Sequence, residues 1–215
     1  MVIDPAAHTA ELDCFNQMAV SSPVPLTYHL PALHGLTSLH RDEPGALGII
    51  VLGSSSSVNE RLAWQQQLGE WLLARMQQKL PTLGLCFGHQ LVAHLFGGQI
   101  DFLYPDKAKL VGFQLTSLKP NPLWDNQALD GPLYVSHREV VTSCPANMTV
   151  IATRPDMPFD GFAHDELPIW TVQAHPEATP GFARGESAGL DGDPQQFEFG
   201  HALVQRFLSF AATTR

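Results

Sequence analysis

The 215-residue sequence predicts an α/β fold with three layers, in which helices cover both faces of a mostly parallel central sheet. Short apolar runs of strand length alternate with longer segments that carry apolar residues at helical spacing, an order typical of parallel strands joined by helices. Two of the apolar runs also lead directly to Cys86 and His175. In such a fold, the active site would lie at the carboxyl ends of the strands.

The amino-terminal half supplies the predicted parallel strands and their helices. Residues 1–3 form a short first strand, which is followed by a helix over about residues 9–20. The later strands are predicted at residues 25–30, 47–52 and 82–85, and the helices at residues 61–80 and 90–96. Gly97 and Gly98 end the second of these helices.

The carboxyl-terminal half is expected to add a small antiparallel extension and to close the domain. The strands of this extension are predicted at residues 109–119, 133–141, 149–152 and 159–163. Residues 179–193 are rich in glycine and small polar side chains and are interpreted as a mobile loop near His175. Residues 194–212 are predicted to form the closing helix, so that residues 1–215 make one domain.

Cys86 lies between Gly84 and Gly88, after the apolar run of residues 82–85 and before the helical pattern that starts at Gln90. A nucleophile elbow has this arrangement: the reactive residue occupies a strained strand-to-helix turn, and small neighbours let other backbone pass close by. The amino-terminal end of the helix also favours a thiolate over a thiol. Cys86 is therefore a candidate nucleophile, although a free cysteine is also commonly a small buried apolar residue.

A second pattern supplies a candidate base. The buried apolar run of residues 169–174 leads directly into His175, Pro176 and Glu177. A cysteine nucleophile needs a base that handles its proton and a third group that orients this base. His175 and Glu177 fit these roles, since residues two apart in an extended segment share a side, but Pro176 is expected to bend the chain between them. The simpler interpretation is a strand-terminal histidine with an exposed glutamate.

The two motifs together resemble those of the class I glutamine amidotransferases, whose glutaminase domain carries Gly-x-Cys-x-Gly-x-Gln and, much later, a strand that ends in His-Pro-Glu. Both motifs are complete here, and the resemblance extends from residues 48–53 to the closing helix. It implies a flavodoxin-like fold and a triad of Cys86, His175 and Glu177 that hydrolyses the side-chain amide of glutamine. The Cys86 thiolate would attack the amide carbon, His175 would protonate the departing ammonia, and water would cleave the γ-glutamyl thioester.

The tetrahedral intermediate of this reaction needs donors for its oxyanion. The N–H of Phe87, immediately after the nucleophile, is one candidate, and a glycine-containing loop after an earlier strand normally supplies another. Gly53 and Ser54 follow the strand predicted at residues 47–52, so their backbone is expected to be the second donor. In the family this loop resembles Gly-Gly-Pro, of which only Gly53 is present. Without the neighbouring motifs, these residues would be interpreted as a flexible polar turn.

Three further residues are predicted to bind substrate by the same resemblance. Gln90 resembles the family glutamine that contacts the amino-acid end of the substrate, with a solvent-facing helix residue as the alternative. Ser136 and His137 resemble a Ser-His pair that holds the substrate carboxylate or amine, with a structural histidine as the alternative for His137. Arg138 occupies the position of a family glycine, which suggests changed backbone contacts or an altered substrate.

The composition restricts the partners and the location. The net charge is −9, and the twelve Lys and Arg residues form no run, which argues against nucleic-acid binding. No segment approaches the roughly 20 apolar residues of a membrane span, and the amino terminus lacks the features of a signal peptide. The three cysteines, Cys14, Cys86 and Cys144, suit a reducing compartment in which disulfides are not expected. A cytoplasmic protein is therefore predicted.

No metal site and no cofactor are expected. The ten histidines include His29, His34 and His40, but none of them has the spacing of a zinc motif, so scattered surface histidines are the interpretation. The sequence also contains neither a phosphate-binding loop with its lysine nor a dinucleotide fingerprint.

Three functions stay open from the sequence. The first is a stand-alone glutaminase that supplies ammonia to an unidentified acceptor, with a separate synthase or acceptor protein as partner. The second is a γ-glutamyl hydrolase that acts on peptide or polyamine amides, which Arg138 and the loop of residues 179–193 favour. The third is a non-catalytic regulatory or interaction protein on the same fold, and the complete triad weighs against it.

Overall fold

The computed structural model describes residues 1–155, 157–186 and 193–214. Within these ranges the chain forms eleven strands: β1 (Val2–Ile3), β2 (Tyr28–His29), β3 (Ile49–Val51), β4 (Thr82–Leu85), β5 (Ile100–Phe102), β6 (Leu110–Leu118), β7 (Leu129–His137), β8 (Glu139–Val141), β9 (Met148–Arg154), β10 (Met157–His164) and β11 (Ile169–Val172). The α-helices are α1 (Leu12–Ser21), α2 (Pro31–His34), α3 (Thr37–Asp42), α4 (Ala63–Gln77), α5 (Phe87–Leu95), α6 (Pro180–Glu186) and α7 (Glu198–Thr213). Short 3-10 helices occupy Glu43–Gly45, Val58–Glu60, Pro122–Trp124 and Pro194–Phe197.

Nine of the strands form one central sheet in the order β2-β1-β3-β4-β11-β10-β9-β6-β7. The strands from β2 to β11 in this order are parallel, and those from β10 to β7 continue the sheet in antiparallel fashion. The remaining strands, β5 and β8, pair as a separate antiparallel ribbon. The parallel sheet with an antiparallel extension is thus confirmed, and the extension comprises four strands of the central sheet.

Helices cover both faces of the sheet because successive strand residues point to opposite sides. In β3, Ile50 belongs to the apolar cluster that includes Met18 of α1 and Phe207 of α7. Its neighbours Ile49 and Val51 belong to the cluster on the other face, with side chains of α3, α4 and α5. The three-layer prediction is therefore confirmed.

The structure corrects several predicted boundaries. Strand Thr82–Leu85 has its predicted ends, whereas the strand predicted at residues 25–30 is limited to Tyr28–His29. The helix predicted at residues 61–80 is shorter, at Ala63–Gln77, and the helix after the elbow begins at Phe87 rather than Gln90. The closing segment divides into the 3-10 helix Pro194–Phe197 and α7.

Two other interpretations need correction. The segment predicted as a loop at residues 179–193 contains helix α6, while residues 187–192 lie outside the described residues. His29 is not a surface residue: it is buried, and its ring nitrogens hydrogen-bond to Ser38 Oγ at 2.9 Å and Thr27 Oγ1 at 2.8 Å. Burial lowers the pKa of His29, so it is a neutral structural side chain.

Candidate active site

Cys86 occupies a sharp turn between β4 and α5. Its φ of 51° and ψ of −101° lie in a region that side-chain-bearing residues rarely adopt, so the backbone is strained at this position. The turn requires close backbone contacts on both sides. A Cβ atom on Gly84 would lie 2.7 Å from the Gly88 carbonyl oxygen, and one on Gly88 would lie 2.4 Å from that of Val51. The two glycines therefore allow the elbow to pack against its own helix and against β3.

His175 and Glu177 meet just beyond the end of β11. The His175 amide donates to the Tyr134 carbonyl oxygen at 2.7 Å, which ties the turn to β7. The two side chains hydrogen-bond through His175 Nδ1 and Glu177 Oε1 at 2.9 Å. Both are almost fully buried, so Glu177 is not the exposed glutamate of the simpler interpretation. The bend at Pro176 keeps the carboxylate against the imidazole.

The electrostatics of this pair favour a protonated imidazole. Burial by itself lowers the pKa of His175, but the charges of Cys86 and Glu177 and the hydrogen bonds to both raise that pKa well above its ordinary value. At neutral pH the His175 ring is therefore an imidazolium that faces both a sulfur and a carboxylate. This is the charge arrangement that holds a thiolate ready for nucleophilic attack.

A cavity of about 520 Å³ lies over Cys86 and collects most of the predicted site residues. Its lining includes the triad and the predicted residues Gly53, Ser54, Gln90, Ser136, His137 and Arg138. Phe87 lies next to Cys86 at the start of α5 but does not line the cavity.

Of the predicted oxyanion donors, Gly53 and Ser54 line the cavity. A Cβ atom on Gly53 would lie 2.5 Å from His175 Cε1, so the imidazole rests directly against this glycine. The loop that contains Gly53 is held by Ser54 Oγ, which donates to the Pro5 carbonyl oxygen at 2.8 Å. Among the bonds of the described residues, the amides of Gly53, Ser54 and Phe87 have no acceptor.

The predicted substrate-binding residues have distinct environments. Gln90 is buried, which excludes the solvent-facing alternative, and its Nε2 donates to the Glu139 carbonyl oxygen at 2.8 Å. The hydroxyl of Ser136 donates to Glu186 of α6. Arg138 is exposed and donates to the Lys107 carbonyl oxygen at 2.7 Å.

His137 has the environment of a neutral buried histidine. Its Nε2 accepts from Arg154 at 3.1 Å, and Arg154 forms a buried two-pronged ion pair with Asp160 at 2.8 and 2.6 Å. Burial, together with the charge of Arg154, lowers the pKa of His137 to about 3. His137 lines the cavity, and its Nε2 is held by Arg154, as the structural alternative for this residue predicts.

Gln173 is a site residue that the motif analysis missed. Its side chain is fully buried, its Nε2 donates to Cys86 Sγ at 3.7 Å, and its Oε1 accepts from Gln90 Nε2 at 3.1 Å. It therefore links the nucleophile to the predicted substrate-binding glutamine. The sequence signal for it is its position two residues before His175, which places both on one side of an extended segment.

Comparison with known proteins decides the family. The model of the family described as "Glutamine amidotransferase class-I" matches residues 28–187. The chain belongs to the class I glutamine amidotransferases. This confirms the family and the enzyme class that the two motifs predict.

The curated relatives of this amidotransferase include GMP synthases. It is 34% identical over 98 residues to one subunit of the glutamine-hydrolysing GMP synthase of Pyrococcus abyssi, covering 46% of this chain and 51% of that protein. It is also 34% identical over 145 residues to a GMP synthase of Porphyromonas gingivalis, covering 65% of this chain and 26% of that protein. The chain thus spans about half of the first protein and about a quarter of the second.

Solved structures support the fold. A putative GMP synthase subunit from Thermoplasma acidophilum has a TM-score of 0.75 at 17% identity, with 99% of this chain and 94% of that chain covered. A glutamine amidotransferase from Thermotoga maritima has the same TM-score at 15% identity, with 100% and 99% covered. These similarities show that the amidotransferase has the fold of the class I family.

Two kinds of feature are absent from the described ranges of this amidotransferase. No helix there is long and apolar enough to cross a membrane. No group of three or more His, Cys, Asp and Glu side chains there has an arrangement that could hold a metal ion.

Proposed function

We propose that this amidotransferase hydrolyses the side-chain amide of glutamine with Cys86 as nucleophile. The observation that carries the proposal is geometric: Cys86 occupies a strained elbow at the cavity, and the buried His175 on the same cavity is hydrogen-bonded to Glu177 at 2.9 Å. Membership in the family supports the same chemistry.

The chain's own groups can perform each step. The Cys86 thiolate attacks the amide carbon, and the oxyanion that forms is stabilised by the unpaired amides of Phe87 and of the Gly53–Ser54 loop. His175 then donates its proton to the departing nitrogen. Ammonia leaves, and the γ-glutamyl group stays bound to Cys86 as a thioester. His175, now neutral, takes a proton from water, which cleaves the thioester to glutamate and restores the thiolate–imidazolium pair.

The released ammonia needs an acceptor, and we propose that a separate synthase or acceptor protein provides it. Matched relatives are named as single subunits of a glutamine-hydrolysing GMP synthase, which indicates an assembly with a second polypeptide in those proteins. The proposal also treats residues 1–215 as one glutaminase domain. The cytoplasmic location stays a prediction from the sequence.

Hydrolysis of a larger γ-glutamyl compound is a second candidate. The cavity of about 520 Å³ falls in the range of pockets that enclose drug-sized ligands, so it has room for a compound larger than glutamine. The exposed Arg138 also lies on its lining. A γ-glutamyl peptide would use the same triad, with an amine in place of ammonia as the leaving group.

Release of glutamate from L-glutamine and from γ-glutamylglycine tests the two candidates side by side. We expect turnover of glutamine by the wild type and none by Cys86→Ala, which removes the nucleophile but fits the turn. Turnover of γ-glutamylglycine alone would support the second candidate. Equal rates in the wild type and Cys86→Ala would contradict the mechanism for both.

A further inference from the structure

A carboxylate already lies against the predicted substrate-binding residue Ser136. Glu186 ends helix α6, and its Oε2 accepts hydrogen bonds from both the Ser136 hydroxyl and the Lys109 ammonium group. All three residues line the cavity that contains Cys86. Ser136 is on β7 and Lys109 directly precedes β6, so two neighbouring strands of the sheet present the donors.

The environment stabilises a negative charge at this position. Burial would raise the pKa of Glu186, but the hydrogen bonds from Lys109 and Ser136 and the charges of Lys109 and His175 lower it. The side chains of Lys109 and Glu186 are 33% and 26% exposed, so solvent screens the pair only in part. An ammonium and a hydroxyl that converge on one oxygen form a carboxylate site of the charge-assisted type.

A γ-glutamyl substrate carries an α-carboxylate at the end opposite its scissile amide. Among the described residues that line the cavity, Lys109 and Arg138 are the Lys and Arg side chains that can meet this carboxylate. Both residues are exposed, and Arg138 donates to a backbone carbonyl oxygen. Lys109 instead converges with Ser136 on a carboxylate, which identifies it as the cation suited to this end of the substrate.

We propose that Lys109 and Ser136 bind the α-carboxylate of the γ-glutamyl substrate, and that Glu186 occupies their site until the substrate displaces it. This assignment rests on the proposed function and adds Lys109 as a specificity-determining residue. Because Glu186 competes for the same two donors, substrate can bind only to molecules in which the contact between Glu186 and these donors is open. The larger the fraction of molecules that make this contact, the lower the apparent affinity for substrate. Removal of the Glu186 charge should therefore strengthen substrate binding, whereas removal of the Lys109 charge should weaken it.

Protection of Cys86 from alkylation tests the proposal without requiring turnover. Iodoacetamide modification of the Cys86 peptide is followed by mass spectrometry, with L-glutamine, γ-glutamylglycine or L-glutaminamide as protecting compound. Glutaminamide lacks the α-carboxylate and keeps the scissile amide. In Lys109→Met, we expect glutamine to need about tenfold or higher concentrations for half-protection, with glutaminamide little changed. Lys109→Arg should restore part of the protection by glutamine.

Glu186→Gln should lower the half-protecting concentration of glutamine severalfold. Glu60→Gln is the matched control, since it removes the same charge from the same cavity and should cause no change. If glutamine or γ-glutamylglycine protects the wild type and Lys109→Met equally, the carboxylate assignment is wrong while the proposed function stands. If neither compound protects the wild type, the proposed function is wrong and the assignment falls with it.

Discussion

Replacing Glu177 with glutamine separates the charge of this carboxylate from its position. Glutamine has the same length, and its amide oxygen can accept the bond that His175 Nδ1 now gives to Glu177 Oε1 at 2.9 Å. The other carboxylate oxygen, Oε2, is buried and has no hydrogen-bond partner among the described residues, so no other bond is lost. The substitution therefore removes mainly the charge that helps to raise the pKa of His175.

The magnitude follows from the loss of charge assistance in this bond. A hydrogen bond to a charged group contributes about 1.5–3 kcal/mol and a neutral one about 1 kcal/mol, so the substitution should remove about 0.5–2 kcal/mol. At 1.4 kcal/mol for each tenfold, this corresponds to a roughly 2- to 30-fold lower rate of Cys86 alkylation at neutral pH. Because the Glu177 charge raises the pKa of His175, its loss lets the imidazolium deprotonate at lower pH. At alkaline pH, where a thiolate forms without the help of the imidazolium, the rate of the variant should approach that of the wild type.

The assay is the rate of iodoacetamide modification of Cys86 as a function of pH, for the wild type, Glu177→Gln and the control Glu60→Gln. Glu60 lines the same cavity, so its substitution controls for a general change of charge there. We expect the wild type and Glu60→Gln to share one profile. A Glu177→Gln profile that superimposes on theirs would refute the role of Glu177 as the group that holds the imidazolium.

Three further predictions concern stability and packing. Asp160→Asn leaves a buried guanidinium without its carboxylate and should cost about 3–5 kcal/mol of unfolding free energy, seen in a thermal melt as a Tm lower by roughly 6–20 °C. His89 and His137 have pKa values lowered to about 3, mainly by burial, against 6.5 when unfolded. The unfolded chain therefore binds more protons than the folded chain below pH 6.5, and each histidine should lower the free energy of unfolding by about 2 kcal/mol at pH 5. In Tm measurements across pH, His89→Gln should abolish about half of the loss of stability that the two histidines cause on acidification. Gly88→Ala should destabilise by about 1–3 kcal/mol in urea unfolding because its Cβ meets a strand carbonyl oxygen at 2.4 Å, whereas Gly185→Ala has open space and should not. A pH-independent Tm or equal stability of the two alanine variants would contradict these expectations.

The elbow is predictable from sequence because several local signals agree there. Thr82–Leu85 is a short, mainly apolar run that Cys86 and Gly88 follow, and its strand boundaries are the predicted ones. The predicted start of α5 lies three residues late because Phe87, Gly88 and His89 show no helical alternation of apolar and polar side chains. All three are buried, so the first turn of the helix has no polar face to reveal it.

Helix α6 could not be predicted from its own residues. It starts at Pro180 and contains two glycines, a composition that favours a loop. Its Phe182 packs on the ring of His175 with centroids 4.9 Å apart, and Ala183 is buried against the extension of the sheet. Tertiary packing therefore overrides the low intrinsic propensity of this segment.

The contacts that complete the site are also nonlocal. Gln173 meets Cys86 across 87 positions of sequence, and Lys109 meets Glu186 across 77. Neither pair lies within a motif, and hydrophobic periodicity carries no information about polar side chains on different strands. The triad is accessible from sequence because its members belong to two short motifs. Gln173 has only the signal of its spacing from His175, and Lys109 requires the order of strands in the sheet.

The most direct test of the central claim is the intact mass of the protein after exposure to an electrophilic diazo-ketone analogue of glutamine. A thiolate at Cys86 within a glutamine site predicts a single covalent adduct, suppressed by excess L-glutamine and absent from Cys86→Ala. An adduct that persists in Cys86→Ala, or a wild-type protein that forms none, would contradict the assignment of Cys86 as the nucleophile of a glutamine-hydrolysing site.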